Sequence, residues 1–370
     1  MSCNTGEGHN STARAIAEVL KDRGDDSYIM DALSLWSPKA SKFICNWHVR
    51  LYRDAPKLFN AGYRFSEKQP AEPEGEGMIY DLLAKGAEPL YRMMQENQFD
   101  AVICVHIFAA MMLTEVRRQF GVELPTGLVA TDYTCSPCAE RCIVDAFFIP
   151  DERLIPEFVQ RGIPEDKLVV TGIPVRQSFF QPKDSLLARR TLGLPEEKKI
   201  LLCMSGSMGA GPVKKIVKET VARLPENALA VCVCGNNTKL YDSLSELGSR
   251  ERLKVLGYTK QVPLYMDAAD LMLTKPGGLS STEAAAKRLP LVLADFVGGC
   301  EGRNLEFFCG NGFAWTAQDP EDLPELVCKT LADEAALGAM SAALEQNFRH
   351  NGAAEICAYV ARAVEAKKGN

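Results

Sequence analysis

The stretch GYTKQVPLYMDAADLMLTKPGGLSSTEAAAKRLP, residues 257–290, holds the pattern on which the fold turns. Its centre, LMLT at 271–274, is a short apolar run of the length buried in a parallel sheet. Lys275-Pro276-Gly277-Gly278 breaks the run, and 280–287 then follows at helical spacing. A strand, a glycine turn and a helix make one βα unit. The same alternation extends in both directions. Strands are expected at 199–204, 228–234, 253–256 and 291–294, and an earlier series at 101–106, 126–130, 146–149 and 168–171. Helices are expected at 11–23, 79–96, 213–224, 280–287, 324–332 and 352–366. Strands alternating with helices predict parallel sheets. Two series joined near 172–182 predict an α/β protein of two Rossmann-like domains facing across a cleft, with ligands at the carboxyl ends of the strands. Residues 1–8 read as the end of a strand entering a glycine loop, so the first β-strand is expected to be missing.

The chain has 370 residues, of which 46% are hydrophobic and 24% charged, the balance of a globular protein with room for two cores. A net charge of -6 argues against a general nucleic-acid binder, so no nucleic-acid partner is expected. No apolar run approaches the roughly 18 residues that would span a bilayer. The opening MSCNTGEGHN is not a signal peptide, which places the protein in the cytoplasm. Thirteen cysteines in such a chain are expected as buried thiols.

Four glycine-rich stretches precede expected helices. Gly6-Glu7-Gly8-His9 leads into a helix near Ser11. The positive end of a helix disfavours imidazolium, so His9 is a candidate general base. The alternative is a turn with a solvated histidine, Asn10 or Ser11 being the N-cap. Ser205-Gly206-Ser207-Met208-Gly209-Ala210-Gly211 has the form of a diphosphate cradle but lacks the Gly-Lys-Ser/Thr of a P-loop. In the third stretch Glu283 has two oxygens that suit a ribose diol. Ser280-x-x-Glu283 is equally a capping box, which needs no ligand. In the fourth, Gly298 to Asn304, Glu301 and Asn304 are candidates for sugar hydroxyls, against a plain helix start with an acidic first turn.

Two further clusters stand out. Cys135, Cys138 and Cys142 form C-x-x-C-x-x-x-C without an evident fourth metal ligand, His106 being a candidate neighbour, and buried or surface thiols are the preferred reading over zinc or a redox role. Residues 36–53 mix Trp36, Phe43, Trp47 and Tyr52 with Lys39, Lys42, His48, Arg50 and Arg53, and hold no acidic residue. Basic and aromatic residues interleaved in this way suit an anionic membrane surface, or else an ordinary helix with aromatics in the core.

Together the motifs resemble the family of monogalactosyldiacylglycerol synthases and processive diacylglycerol glucosyltransferases, and more distantly the GlcNAc transferase of the second peptidoglycan lipid intermediate. The resemblance runs from SCNTGEGHNSTARAIAEVL through VATDY and TGIPVRQSF to residues 257–290 and CEGRN. It implies a GT-B fold: an acceptor domain over 1–175, a donor domain over 176–345, and a last helix, 346–370, crossing back to the first. It implies inverting transfer of glucose or galactose from UDP-glucose or UDP-galactose to diacylglycerol or another membrane lipid. No metal and no cofactor are expected, and the protein would sit peripherally on the inner face of the plasma membrane. Carried over by motif, Arg176, Gly206, Ser207 and Gly209 approach the diphosphate or sugar, and Thr259 the uracil. Gly277, Gly278, Leu279 and Ser280 line the donor pocket, Glu283 holds the ribose, and Cys300 with Glu301 and Asn304 meets the sugar. Gly8 and His9 lie on the acceptor side, where Asp132 of Thr131-Asp132-Tyr133 is a second candidate base. Trp36, Phe43, Trp47, Arg50 and Arg53 are expected at the acceptor or membrane. Cys300 stands where the family usually has Gln. The rivals are a UDP-GlcNAc 2-epimerase-like isomerase, disfavoured by a chain with only four histidines, and a non-catalytic UDP-sugar-binding protein.

Overall fold

A computed structural model describes residues 1–3, 7–37, 41–42, 55, 58, 60–61, 83–204, 213–247, 251–294 and 298–369. The chain divides into two compact units. One holds residues 1–51, 58–177 and 350–370, the other 52–57 and 178–349.

In the first unit β1 (Val102–Cys104), β2 (Thr126–Val129), β3 (Ala146–Ile149) and β4 (Leu168–Val170) form a parallel sheet in that order. β2 and β3 are buried at every position, as strands covered on both faces must be. The sheet continues past β1 through a short stub. Met1 accepts from Val105 N–H at 2.9 Å and its nitrogen donates to the Ile103 carbonyl at 2.5 Å, the staggered pattern of a parallel pair. On its other side Ser2 bridges Asp31. Among the described residues before the first helix, Met1 and Ser2 carry this pairing.

The helix Glu7–Asp22 packs against the last helix, Gly352–Lys368. Ala13, Ala15 and Ile16 of the first meet Ala353, Ile356 and Cys357 of the last over Phe148 and Val129 of the sheet. Burying Phe148 alone is worth about 2–3 kcal/mol. Gly352 is required where it stands: a Cβ there would come within 2.5 Å of the Gly172 carbonyl oxygen. The last helix thus belongs to the first unit's core although it closes the chain.

In the second unit β5 (Lys199–Met204), β6 (Ala228–Val233), β7 (Leu253–Leu256), β8 (Leu271–Thr274) and β9 (Leu291–Leu293) lie in the order β7-β6-β5-β8-β9, all parallel. The chain builds outward from β5, returns, and builds the other way from β8, so the order reverses between β5 and β8. Leu201, Cys203, Ala230, Cys232, Leu273 and Val292 form the centre of this core with the helices Val213–Arg223 and Leu323–Ala332. Lys287 and Asp267, an ion pair at 3.0 Å, are both buried. Burial pushes the Asp267 carboxyl up, and Lys287 draws it partly back.

The nine expected strands all form, each within two residues of its sequence boundaries. Three helix starts differ. The helix expected over 79–96 runs from Ala87 to Asn97 with Gly86 as its N-cap, residues 79–82 lying outside the described residues. The first helix begins at Glu7 rather than near Ser11, because an acidic residue in the first turn, paired with Arg14 at 2.7 Å, suits the positive helix end. Asn10 and Ser11 consequently lie inside the helix and are not N-caps; Asn10 Oδ1 accepts from Ser2 Oγ at 2.8 Å. The helix Gly278–Ala286 begins two residues before Ser280, with Gly277 as its N-cap. Ser280 is then the third helical residue, so the capping box with Glu283 does not form.

Candidate functional site

In the first unit the site is built at the point where the sheet order reverses, between the Met1–Cys3 stub and β1. His9 sits in the first turn of the helix Glu7–Asp22, directly after Gly8. Its Nδ1 lies 2.8 Å from the Val105 carbonyl and 3.1 Å from Thr131 Oγ1. A carbonyl oxygen has no proton to give, so Nδ1 carries the hydrogen and donates it. The basic lone pair of the neutral ring is then on Nε2. Thr131 follows β2 and leads into Asp132, which is half-buried. Val105 follows β1, and the next residue, His106, is the buried N-cap of the helix Ile107–Phe120. Its Nδ1 accepts from Phe108 N–H at 3.1 Å, and its ring meets that of His9 edge-on with centroids 4.6 Å apart. The ends of β1 and β2 thus converge on one imidazole. Arg176, half-buried, follows the buried Ile173 and Val175 at the end of this unit.

In the second unit the carboxyl ends of β8 and β9 open into two helices whose N-cap residues are glycines, with no side chain of their own to cap the helix. Gly277 is the N-cap before Gly278–Ala286, and Gly299 before Cys300–Gly310. Gly299 has φ +65 and ψ -136, a backbone state that only glycine adopts without strain. Backbone N–H groups at an uncapped helix start, with the dipole behind them, suit anionic oxygens. The two loops are tied to one another. Lys275 Nζ pairs with Glu301 Oε1, and Asn304 Nδ2 donates to the Pro276 carbonyl at 2.9 Å. Glu301 is buried and Asn304 fully so. Asn304, expected on a sugar hydroxyl, here anchors the neighbouring loop, while Cys300 opens the helix half-buried. Glu283, also buried, lies one turn into its helix, with Leu279 and Ser280 in the first turn.

Thr259 follows β7. Its Oγ1 accepts from Gln261 N–H at 3.1 Å and shapes the turn into the helix Val262–Ala268. β7 lies three strands from β8, about 14 Å at ~4.8 Å per strand. That is the scale of an extended nucleoside diphosphate.

The structure therefore groups His9, Gly8 and Thr131–Asp132 in one place, and Gly277, Gly278, Leu279, Ser280, Glu283, Cys300, Glu301 and Asn304 in another. Trp36 ends the helix Ala32–Trp36. Gly206, Ser207, Gly209, Phe43, Trp47, Arg50 and Arg53 lie outside the described residues. Sequence reading missed Thr131 and His106 as partners of His9, and Lys275 as partner of Glu301. Nothing in local spacing joins residues 26 or about 100 positions apart.

The cysteine cluster takes a different character. Burial, then the charge of Glu157, pushes the Cys135 thiol up to about 12. Glu157 Oε1 is already engaged by Thr134 Oγ1 at 2.6 Å and Cys135 N–H at 2.9 Å. Cys142 is likewise raised by burial. Thiols held protonated are poor ligands and poor nucleophiles.

Comparison with known proteins falls into line with this geometry. Residues 9–175 match the family model of monogalactosyldiacylglycerol (MGDG) synthase, and residues 187–353 that of glycosyl transferases group 1. The chain is 27% identical over 366 residues to the processive diacylglycerol beta-glucosyltransferase of Bacillus mycoides (strain KBAB4), covering 96% of this chain and 91% of that one. It is 33% identical over 259 residues to the protein of that name from Bacillus subtilis (strain 168), covering 69% of this chain and 66% of the relative. The crystal structure of Acinetobacter baumannii MurG superposes with a TM-score of 0.67 at 16% identity, over 98% of both chains. The two parallel sheets with their helices are a GT-B architecture.

Proposed function

The chain belongs to the monogalactosyldiacylglycerol synthase family of glycosyltransferases, and from that premise we propose that it transfers a hexose, glucose or galactose, from a UDP-sugar to diacylglycerol or a related membrane lipid, with inversion. His9 is the general base. Its Nε2 takes the proton of the lipid hydroxyl, the oxygen attacks the anomeric carbon, and the bond from that carbon to the UDP oxygen breaks. UDP leaves with the electron pair. A positioned base contributes roughly 10²–10⁴-fold to such a step. The observation that carries this reading is the anchoring of His9: Nδ1 is spent on Val105 at 2.8 Å, which fixes the base on Nε2.

The second unit is the donor side. The glycine helix starts at Gly277 and Gly299 take the diphosphate oxygens, with Lys275 supplying positive charge. Glu283 takes the ribose hydroxyls, Thr259 lies by the uracil, and Cys300 with Glu301 meets the sugar. Charge developing on the leaving diphosphate is met by these fixed dipoles and this cation, so the reaction is proposed to need neither metal nor cofactor. No helix among the described residues is long and apolar enough to cross a membrane. The basic and aromatic stretch 36–53 supports peripheral binding to anionic lipid.

The test is to incubate the whole chain with diacylglycerol in vesicles with and without anionic lipid, supplying UDP-glucose and UDP-galactose in parallel with a chelator present. Glycolipid and UDP in equal amounts are expected, more with anionic vesicles. Interconversion of UDP-sugars without lipid would make the protein an isomerase. Binding of UDP-sugar without turnover would make it a sensor.

A further inference from the structure

We propose that His106 is the positioning residue of His9: by spending its Nδ1 on the backbone of the helix it caps, it is fixed as a neutral ring against which His9 is aimed. β1 ends at Cys104, and the chain turns at Val105-His106 into the helix Ile107–Phe120. His106 has φ -145 and ψ 141, the extended geometry of an N-cap, and its Nδ1 accepts the Phe108 N–H at 3.1 Å. A ring nitrogen that accepts from an N–H bears no proton, so the hydrogen of His106 is on Nε2. The two histidines are therefore opposite tautomers: His9 is Nδ1–H and His106 is Nε2–H.

That difference has a consequence. Protonating His106 would place a hydrogen on Nδ1, remove the cap and set a cation at the positive end of a helix. The cap thus holds His106 as the Nε2–H tautomer. Two further ties make the pair one unit. The carbonyl that anchors His9 belongs to Val105, the residue next to His106, so the turn set by the cap also aims that oxygen. The His106 ring, only 9% exposed, lies edge-on to His9 with centroids 4.6 Å apart and limits its rotation. Serine, threonine, aspartate or asparagine would cap the helix as well. A histidine at this position supplies the cap and the wall together.

The proposal rests on the glycosyltransferase reading only for its kinetic arm. The structural arm uses the resting protein. The chain has four histidines, so ring ¹H–¹⁵N correlation spectra of the labelled full chain can be assigned by single substitutions. The expected result is His106 in the Nε2–H form and His9 in the Nδ1–H form. His106→Asn keeps a good cap and removes the wall. It is expected to melt as the wild type does, to leave the KM for UDP-sugar within about twofold, and to lower kcat about tenfold or more through lost alignment. The His9 ring should then no longer show a single tautomer. His106 found as Nδ1–H would overturn the proposal. So would His106→Asn with wild-type kcat and an unchanged His9 spectrum. If the wild-type chain transfers no sugar at all, the functional reading falls while the spectra still decide the role of His106.

Discussion

The two units staple the amino ends of their sheets in the same way and finish the carboxyl ends in opposite ways. At the amino end of the first sheet Asp145 accepts from Thr126 N–H, the first residue of β2, at 2.8 Å and pairs with Arg117 at 3.0 Å. At the amino end of the second, Asp270 accepts from Ile200 N–H in β5 at 2.7 Å and pairs with Arg189 at 2.8 Å. In both, a carboxylate before one strand satisfies the orphan N–H of its neighbour, and an arginine neutralises it. The carboxyl ends diverge at equivalent topological positions. After β1 the helix is closed by a side chain, the His106 imidazole; after β8 it starts behind Gly277, which has no side chain of its own to cap it. A capped helix offers no anion site, whereas an open one does. Amino ends hold the sheets together, and carboxyl ends carry the candidate sites: side-chain groups in the first unit, backbone N–H groups at glycine helix starts in the second.

This division can be broken experimentally. The largest effect is expected at the side-chain site. His9→Ala should lower transfer about 10³-fold with UDP affinity unchanged, measured by glycolipid formation and calorimetry; a loss of less than tenfold would move the base elsewhere, Asp132 being next. Asp270→Ala leaves the buried Arg189 without its partner and should cost about 3 kcal/mol in urea unfolding, with the His9 site intact. Glu283→Ala should weaken UDP binding about 100-fold by removing two charge-assisted hydrogen bonds, at unchanged fold. Unchanged UDP affinity would show that Glu283 only packs its helix.

The donor loops allow a finer test. Lys275→Met should weaken UDP binding about tenfold, partly by stranding the buried Glu301 carboxylate. Adding Glu301→Gln should then recover folding stability but not UDP affinity. If the second change restores both, Lys275 serves only its ion pair.

The smallest effect is at Asp145. Burial alone would raise its carboxyl, but hydrogen bonds from Thr126 and Arg117 outweigh it and hold it below the ordinary value. A carboxyl depressed in the fold stabilises above its unfolded value of about 3.9 and loses that contribution as pH falls through the folded one. The side chain is 42% exposed, so screening reduces the pair. Asp145→Asn should therefore cost about 1 kcal/mol at pH 7, and the two stability curves should converge below about pH 4.

The strands were legible because a buried parallel strand announces itself. Ala228–Val233 has no side chain that water would tolerate well, and every one is buried. The helix starts were less legible. Ser280-x-x-Glu283 has the spacing of a capping box, but Gly277 and Gly278 enter the helix first and move Ser280 inside it. Glu7, an acid between two glycines, likewise drew the first helix forward over Asn10 and Ser11.

The order of apolar runs and glycine turns was enough to determine two parallel sheets, and the residue types placed His9 and Glu283 at helix starts beyond strand ends. Those are local properties, set by period and by backbone freedom over a few residues. The pairings that give these residues their chemical state belong to the tertiary structure. Val105 and Thr131 reach His9 across 96 and 122 positions, and Glu301 reaches Lys275 across 26. Such contacts are decided by which strands become neighbours, and strand order leaves no trace in the spacing of any one motif.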